Sequence, residues 1–190
     1  MNTVLDAPVA TTAKPPASLL DPGRRAQWQG VNRVPFVFEH RLAHHPLFTI
    51  PRLARLAELA IAKGDRNQYV SDEDMLLSKA DRTRRQLDDI ARLAEGKHWL
   101  KIASVNKLDP EYDDLLQTMM AEIEVLAEAR FRDVVSWSGL TVFMNSPHLE
   151  VPYHFDHDTN FLMQVQGEKD VYLFDPDDRT VLTEAEIEDF

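Results

Sequence analysis

The stretch HFDHDTNFLMQVQGEKDVYLFDPDD, residues 154–178, decides how this chain is read. Short apolar runs are broken by Gly167-Glu168 and closed by Asp175-Pro176-Asp177-Asp178, a spacing that predicts consecutive strands joined by tight turns. Val151 to Asp156, Asn160 to Gln166 and Lys169 to Phe174 are the segments so defined. Residues two apart on a strand share a face, so His154 and Asp156 can offer an imidazole nitrogen and a carboxylate oxygen to one ion.

Working outward, Val134 to Asn145 is rich in Val, Trp, Thr and Phe and reads as a further strand, ended by the turn signal Ser146-Pro147. Before Arg132 the pattern becomes helical. Asp109 can cap a helix that has Pro110 at its first position and a stripe of Leu116, Met119, Met120, Ile123, Leu126 and Ala127. Thr49, Ile50 and Pro51 lead into Leu53, Leu56, Ala57, Ala60 and Ile61, with Gly64 as the stop. Between them, Ser71 with Asp74 resembles a capping box, and a polar helix is predicted from there or from Asp81 to Gly96. Thr183 with Glu186 can cap a short terminal helix. Helices followed by strands indicate an α+β chain. Its parts read as a mobile tail over 1–22, a mainly helical region over 23–132 and a β region over 133–190. Asp21-Pro22-Gly23 is the turn that ends the tail.

Composition narrows the function classes. The chain has 190 residues and no cysteine, which removes disulfide frameworks, thiolate metal sites and cysteine nucleophiles together. A net charge of −11 argues against nucleic-acid partners, since phosphate contacts need clustered Lys and Arg. The densest basic tract, residues 82–86, is flanked by Asp81, Asp88 and Asp89 and reads as a solvated helix face. No stretch is long and apolar enough to span a bilayer, and the N-terminus lacks the regions of a signal peptide, so a cytoplasmic location is the default. His40, His44 and His45 read as a loop with a surface histidine pair, and Trp28, Trp99 and Trp137 as packing residues.

One ordered set of residues goes further: Ser146-Pro147, His154-Phe155-Asp156, Asn160-Phe161, Gln164, Gly167, Lys169 and Asp175-Pro176. From about Trp99 to Phe190 the chain resembles the cupin-like, jumonji-C-type Fe(II)/2-oxoglutarate dioxygenases, in particular the branch of the asparaginyl hydroxylase called factor inhibiting hypoxia-inducible factor. The resemblance implies a helical half followed by part of a double-stranded β-helix, or jelly roll. It also implies an oxygenase of the hydroxylase type with Fe(II) as its metal and 2-oxoglutarate as cosubstrate. His154 and Asp156 match two ligands of a facial triad of two histidines and a carboxylate. Lys169 matches the anchor of the distal carboxylate of 2-oxoglutarate, Asn160 a pocket residue beside it, and Trp99 stands where the family has a tyrosine that reaches the cosubstrate. Val151 replaces a threonine whose hydroxyl assists the lysine. The family's third ligand is a later histidine, and none follows His157, so the expectation is a chain truncated before it, or a natural fragment that has lost catalysis. The substrate expected is a protein side chain or a small molecule. The competing expectation is a non-catalytic cupin-like module for binding or homo-oligomerisation. A third is a cupin that uses another divalent ion.

Overall fold

The structure, a computed structural model, describes residues 18–23, 25–64, 69–71, 90, 93, 99–151, 153, 154, 156, 158–175, 177–181 and 183. Its helices begin where local chemistry prescribes. Helix α1 is a single turn, Arg25–Trp28, and α2 runs Ile50–Lys63 behind an extended Thr49, with a proline in its first turn. Gly64 ends α2 at φ 79°, returning its N–H to the carbonyls of Ala60 and Ile61. That left-handed conformation carries little cost for glycine alone. Helix α3, Pro110–Ala127, is capped by Asp109, whose carboxylate accepts from Glu111 N at 3.0 Å, and carries acidic residues in its first turn. Negative charge there meets the positive end of the helix dipole.

Leu53, Leu56, Ala57 and Ala60 of α2 and Leu116, Met119, Ile123 and Leu126 of α3 are buried, as the helical spacing predicts, and Tyr112 and Leu115 join them. Three short strands, β1 Tyr69–Ser71, β2 Trp99–Ile102 and β3 Val142–Asn145, form an antiparallel sheet in the order β1-β2-β3. Pairing of Leu100 with Met144 and of Ile102 with Val142 puts four apolar side chains on one buried face, against α2, Tyr112 and Leu115. The other face carries Trp99, Lys101, Phe143 and Asn145, with the Lys101 ammonium 5.8 Å from the centre of the Phe143 ring.

A second cluster gathers around Trp28, which is 1% exposed and lies between Leu20, Ile123 and Leu126. Phe36 and Phe38, two residues apart in an extended segment, meet the Trp28 ring at 5.2 and 5.1 Å. Ser18 to Leu20, grouped by composition with the tail, are pinned to this cluster: the Glu122 carboxylate accepts from Ser18 Oγ and from the amides of Leu19 and Leu20 at 2.8–2.9 Å. Among the described residues no helix is long and apolar enough to cross a membrane.

Several expectations are corrected. Most of Val134 to Asn145 is not strand, because the amides of Val134 and Val135 both return to the Phe131 carbonyl and turn the chain, leaving a strand only from Val142. Trp137 is 62% exposed, so it does not pack in the core. Ser71 closes β1, and the helix start read at Ser71 with Asp74 lies outside the described residues. The polar helix read up to Gly96 and the terminal helix after Thr183 fall almost wholly outside the described residues. The described parts of 151–156, 160–166 and 169–174 are extended chain without ladder partners, and a jelly roll is not formed among the described residues. Alternation survives in one of them: Phe161, Met163 and Val165 turn inward while Leu162, Gln164 and Gln166 are exposed.

Tyr112 ties α3 to the loop before α2. Its hydroxyl donates to the Leu47 carbonyl at 2.6 Å, and burial, against the favourable charge of Arg52, pushes its pKa up to about 12. Arg52 bridges Asp109 at 2.7 Å, pairs with Glu111 and lies over the Tyr112 ring. Tyr112→Phe leaves the Leu47 carbonyl without its donor in a buried site, so chemical denaturation should show a loss of about 1–3 kcal/mol with an unchanged denaturant slope.

Candidate functional site

The segment that carries the candidate residues is mounted on the Trp28 cluster. Phe161 lies 6.4 Å from the Trp28 ring, nearly parallel to it, and meets Phe38 edge-on at 6.1 Å. Met163 packs against both core clusters and Val165 against the first. On the exposed side, Thr159 donates its hydroxyl to the Asn32 side-chain oxygen at 2.5 Å. Residues 158–165 are thus fixed by long-range contacts with residues 28–40. The sequence signal for this platform is the apolar alternation at Phe36 and Phe38, which helix and strand patterns elsewhere in the chain overshadow.

His154 and Asp156 lie in exposed extended chain ahead of that anchored stretch. Asn160 donates its amide N–H to Asp156 Oδ2 at 2.8 Å, so one carboxylate oxygen is held from four residues away. This is the contact that brings two of the candidates together, and it puts the Asn160 amide on the metal-ligand candidate. Such an outer partner orients a ligating carboxylate. Lys169 is exposed and follows Gly167, which takes φ 77° with open space around its Cα. Trp99 lies on β2, paired with Asn145 and half-buried on the sheet face away from the core. Val151 is 49% exposed. Ser146-Pro147 forms a turn as read, with Leu149 N returning to the Ser146 carbonyl and His148 at φ 60°. His157 lies outside the described residues.

The donor set can be weighed against Fe(II) directly. One imidazole and one carboxylate suit a borderline divalent ion, and Asn160 already orients the carboxylate. Among the described residues no group of three His, Cys, Asp or Glu side chains converges.

A family model described as a cupin-like domain matches residues 33–189. The chain belongs to the cupin-like domain family. The match takes in α2, the sheet, α3 and the whole candidate segment, so the helical half and the metal-ligand candidates fall in one family unit. No curated protein and no solved structure matches the chain.

His40 marks where the platform meets this cupin-like segment. Its Nδ1 accepts from Leu42 N at 3.2 Å, and burial lowers its pKa from the usual 6.5, opposed by a hydrogen bond with the Gln164 backbone. The folded state therefore binds a proton at His40 less readily than the unfolded chain does. The contribution to stability is present above about pH 6.5 and is lost as pH falls through the depressed folded value. The urea midpoint should fall between pH 7.5 and 5.5 by more in the wild type than in His40→Gln. Equal falls would exclude His40 as a source of the pH dependence.

Proposed function

We propose that this cupin-like chain is the scaffold of an Fe(II)- and 2-oxoglutarate-dependent oxygenase of the hydroxylase type, akin to the jumonji-C asparaginyl-hydroxylase branch. The observation that carries the reading is the Asp156 carboxylate held by Asn160 two residues after His154, inside a segment matched to the cupin-like family. His154 and Asp156 would hold two positions on the metal. Lys169 supplies a compact positive charge for the distal carboxylate of 2-oxoglutarate. Asn160 keeps Asp156 oriented, and Trp99, an indole donor, lines the cosubstrate side. When bound, Fe(II) with 2-oxoglutarate supplies the dioxygen chemistry that side chains cannot. The residues around it bind, orient and exclude water. The substrate proposed is a C–H bond in a protein side chain or a small molecule.

The test is aerobic turnover of the purified chain with Fe(II), ascorbate and 2-oxoglutarate. Stoichiometric succinate and carbon dioxide, lost on chelation of the metal, are the expected result. Absence of both with metal bound would leave the second reading, a non-catalytic cupin-like association module. That reading is favoured by the run of exposed apolar side chains at Val171 to Phe174.

A further inference from the structure

Residues 171–174 combine four large side chains with high exposure: Val171 54%, Tyr172 81%, Leu173 70% and Phe174 54%. The backbone groups of residues 168–174 make no hydrogen bond among the described residues. The segment is presented between two turns, the left-handed Gly167 and the Asp175–Asp178 turn, where Asp177 N and Asp178 N return to Asp175. An extended, apolar, unpaired segment of β-branched and aromatic residues is a template for strand addition.

We infer that residues 169–175 pair with the same residues of a second copy of this chain, antiparallel about a two-fold axis at Tyr172. Charge selects both the occupant and the register. With the axis at Tyr172, Lys169 of each copy stands opposite Asp175 of the other, Val171 opposite Leu173, and the two Tyr172 side chains meet. The Lys169–Asp175 ion pair is made twice by the symmetry of an isologous contact. Moving the axis between Tyr172 and Leu173 sets Asp170 against Asp175 in both halves. Moving it to Leu173 sets Val171 against Asp175 and brings Pro176, which has no N–H, into the ladder. A parallel in-register pairing stacks Lys169 on Lys169 and each aspartate on itself. Like charges directly opposite weaken a strand pair, and opposite charges strengthen it. Lys169 is exposed and has no salt-bridge partner among the described residues, and Asp175 is exposed as well, so both are available across the axis.

The inference is independent of the oxygenase reading, and its test reads association, not turnover. Sedimentation equilibrium of the full chain should show a monomer–dimer equilibrium that weakens with added salt. Lys169→Asp and Asp175→Lys should each raise the dissociation constant roughly tenfold. Mixing those two variants one to one restores opposite charges at both positions and should recover a dimer at least as tight as the wild type. Because the substituted side chains are exposed, circular dichroism should stay unchanged. A monomer at every concentration, a dimer unaffected by either variant, open-ended assemblies, or a mixture no tighter than the single variants would each overturn the pairing.

Discussion

His154→Ala and Asp156→Ala are each expected to weaken Fe(II) binding by at least about 100-fold. Loss of an outer-shell partner alone costs ~10–100-fold in metal affinity, and these substitutions remove a proposed donor itself. Asn160→Ala should fall inside that outer-shell range, because it leaves both donors in place and frees Asp156 Oδ2 from its 2.8 Å amide contact. Lys169→Ala should leave Fe(II) affinity near the wild-type value and weaken 2-oxoglutarate binding instead. The separation is what discriminates a metal site from general damage. Equilibrium dialysis of Fe(II) under argon, followed by 2-oxoglutarate binding at saturating metal, reads the two affinities apart. Equal loss of both affinities in Lys169→Ala would refute its assignment as the cosubstrate anchor.

The second large effect is on stability. Trp28→Ala should cost about 3–5 kcal/mol, the range for a fully buried large aromatic, out of a total that for single domains is about 5–15 kcal/mol. The ring touches Phe36, Phe38 and Phe161 within 6.4 Å and sits against Ile123 and Leu126 of α3, so its loss opens a cavity shared by three parts of the chain. Thermal melts should fall by roughly 10 °C. The same substitution should also weaken Fe(II) binding, because Phe161 is the neighbour of Asn160 and Trp28 is the surface it stacks on. Trp137→Ala is the control: with the side chain 62% exposed, its melting temperature should remain within about 2 °C of wild type.

Where sequence patterns and structure agree, the signal was local. Asp109 caps α3 through Glu111 N and Gly64 closes α2 through the carbonyls of Ala60 and Ile61, hydrogen bonds that lie within a few residues, and both helices begin as read. The helical stripes at Leu53–Ala60 and Leu116–Leu126 likewise face the core. Strands are harder, since a ladder needs a partner that is remote in sequence. Lys169 to Phe174 has strand composition and yet stays unpaired, while the short Trp99–Ile102 becomes the central strand because it finds Val142–Asn145 on one side and Tyr69–Ser71 on the other. Trp137 shows the same lesson for burial: an aromatic was read as core, but a turn at Val134 and Val135 places it outside.

The candidate site divides in the same way. His154 and Asp156 read as donors from residue type and spacing, and both are exposed. The face they share was argued from a strand that the structure does not form there. What orients Asp156 is Asn160, four residues on, and what steadies Asn160 is an aromatic platform more than one hundred residues earlier, through Phe161 with Trp28 and Thr159 with Asn32. No local pattern reports contacts of that separation. The family match over residues 33–189 is consistent with this dependence, since it begins within the platform and not at the strands.

The most direct measurement is an anaerobic optical titration of the full chain with Fe(II) and then 2-oxoglutarate. The account predicts a weak visible charge-transfer band that saturates at one metal and one 2-oxoglutarate per chain and is abolished in His154→Ala and Asp156→Ala. No band at saturating concentrations, or an undiminished band in both variants, would contradict it.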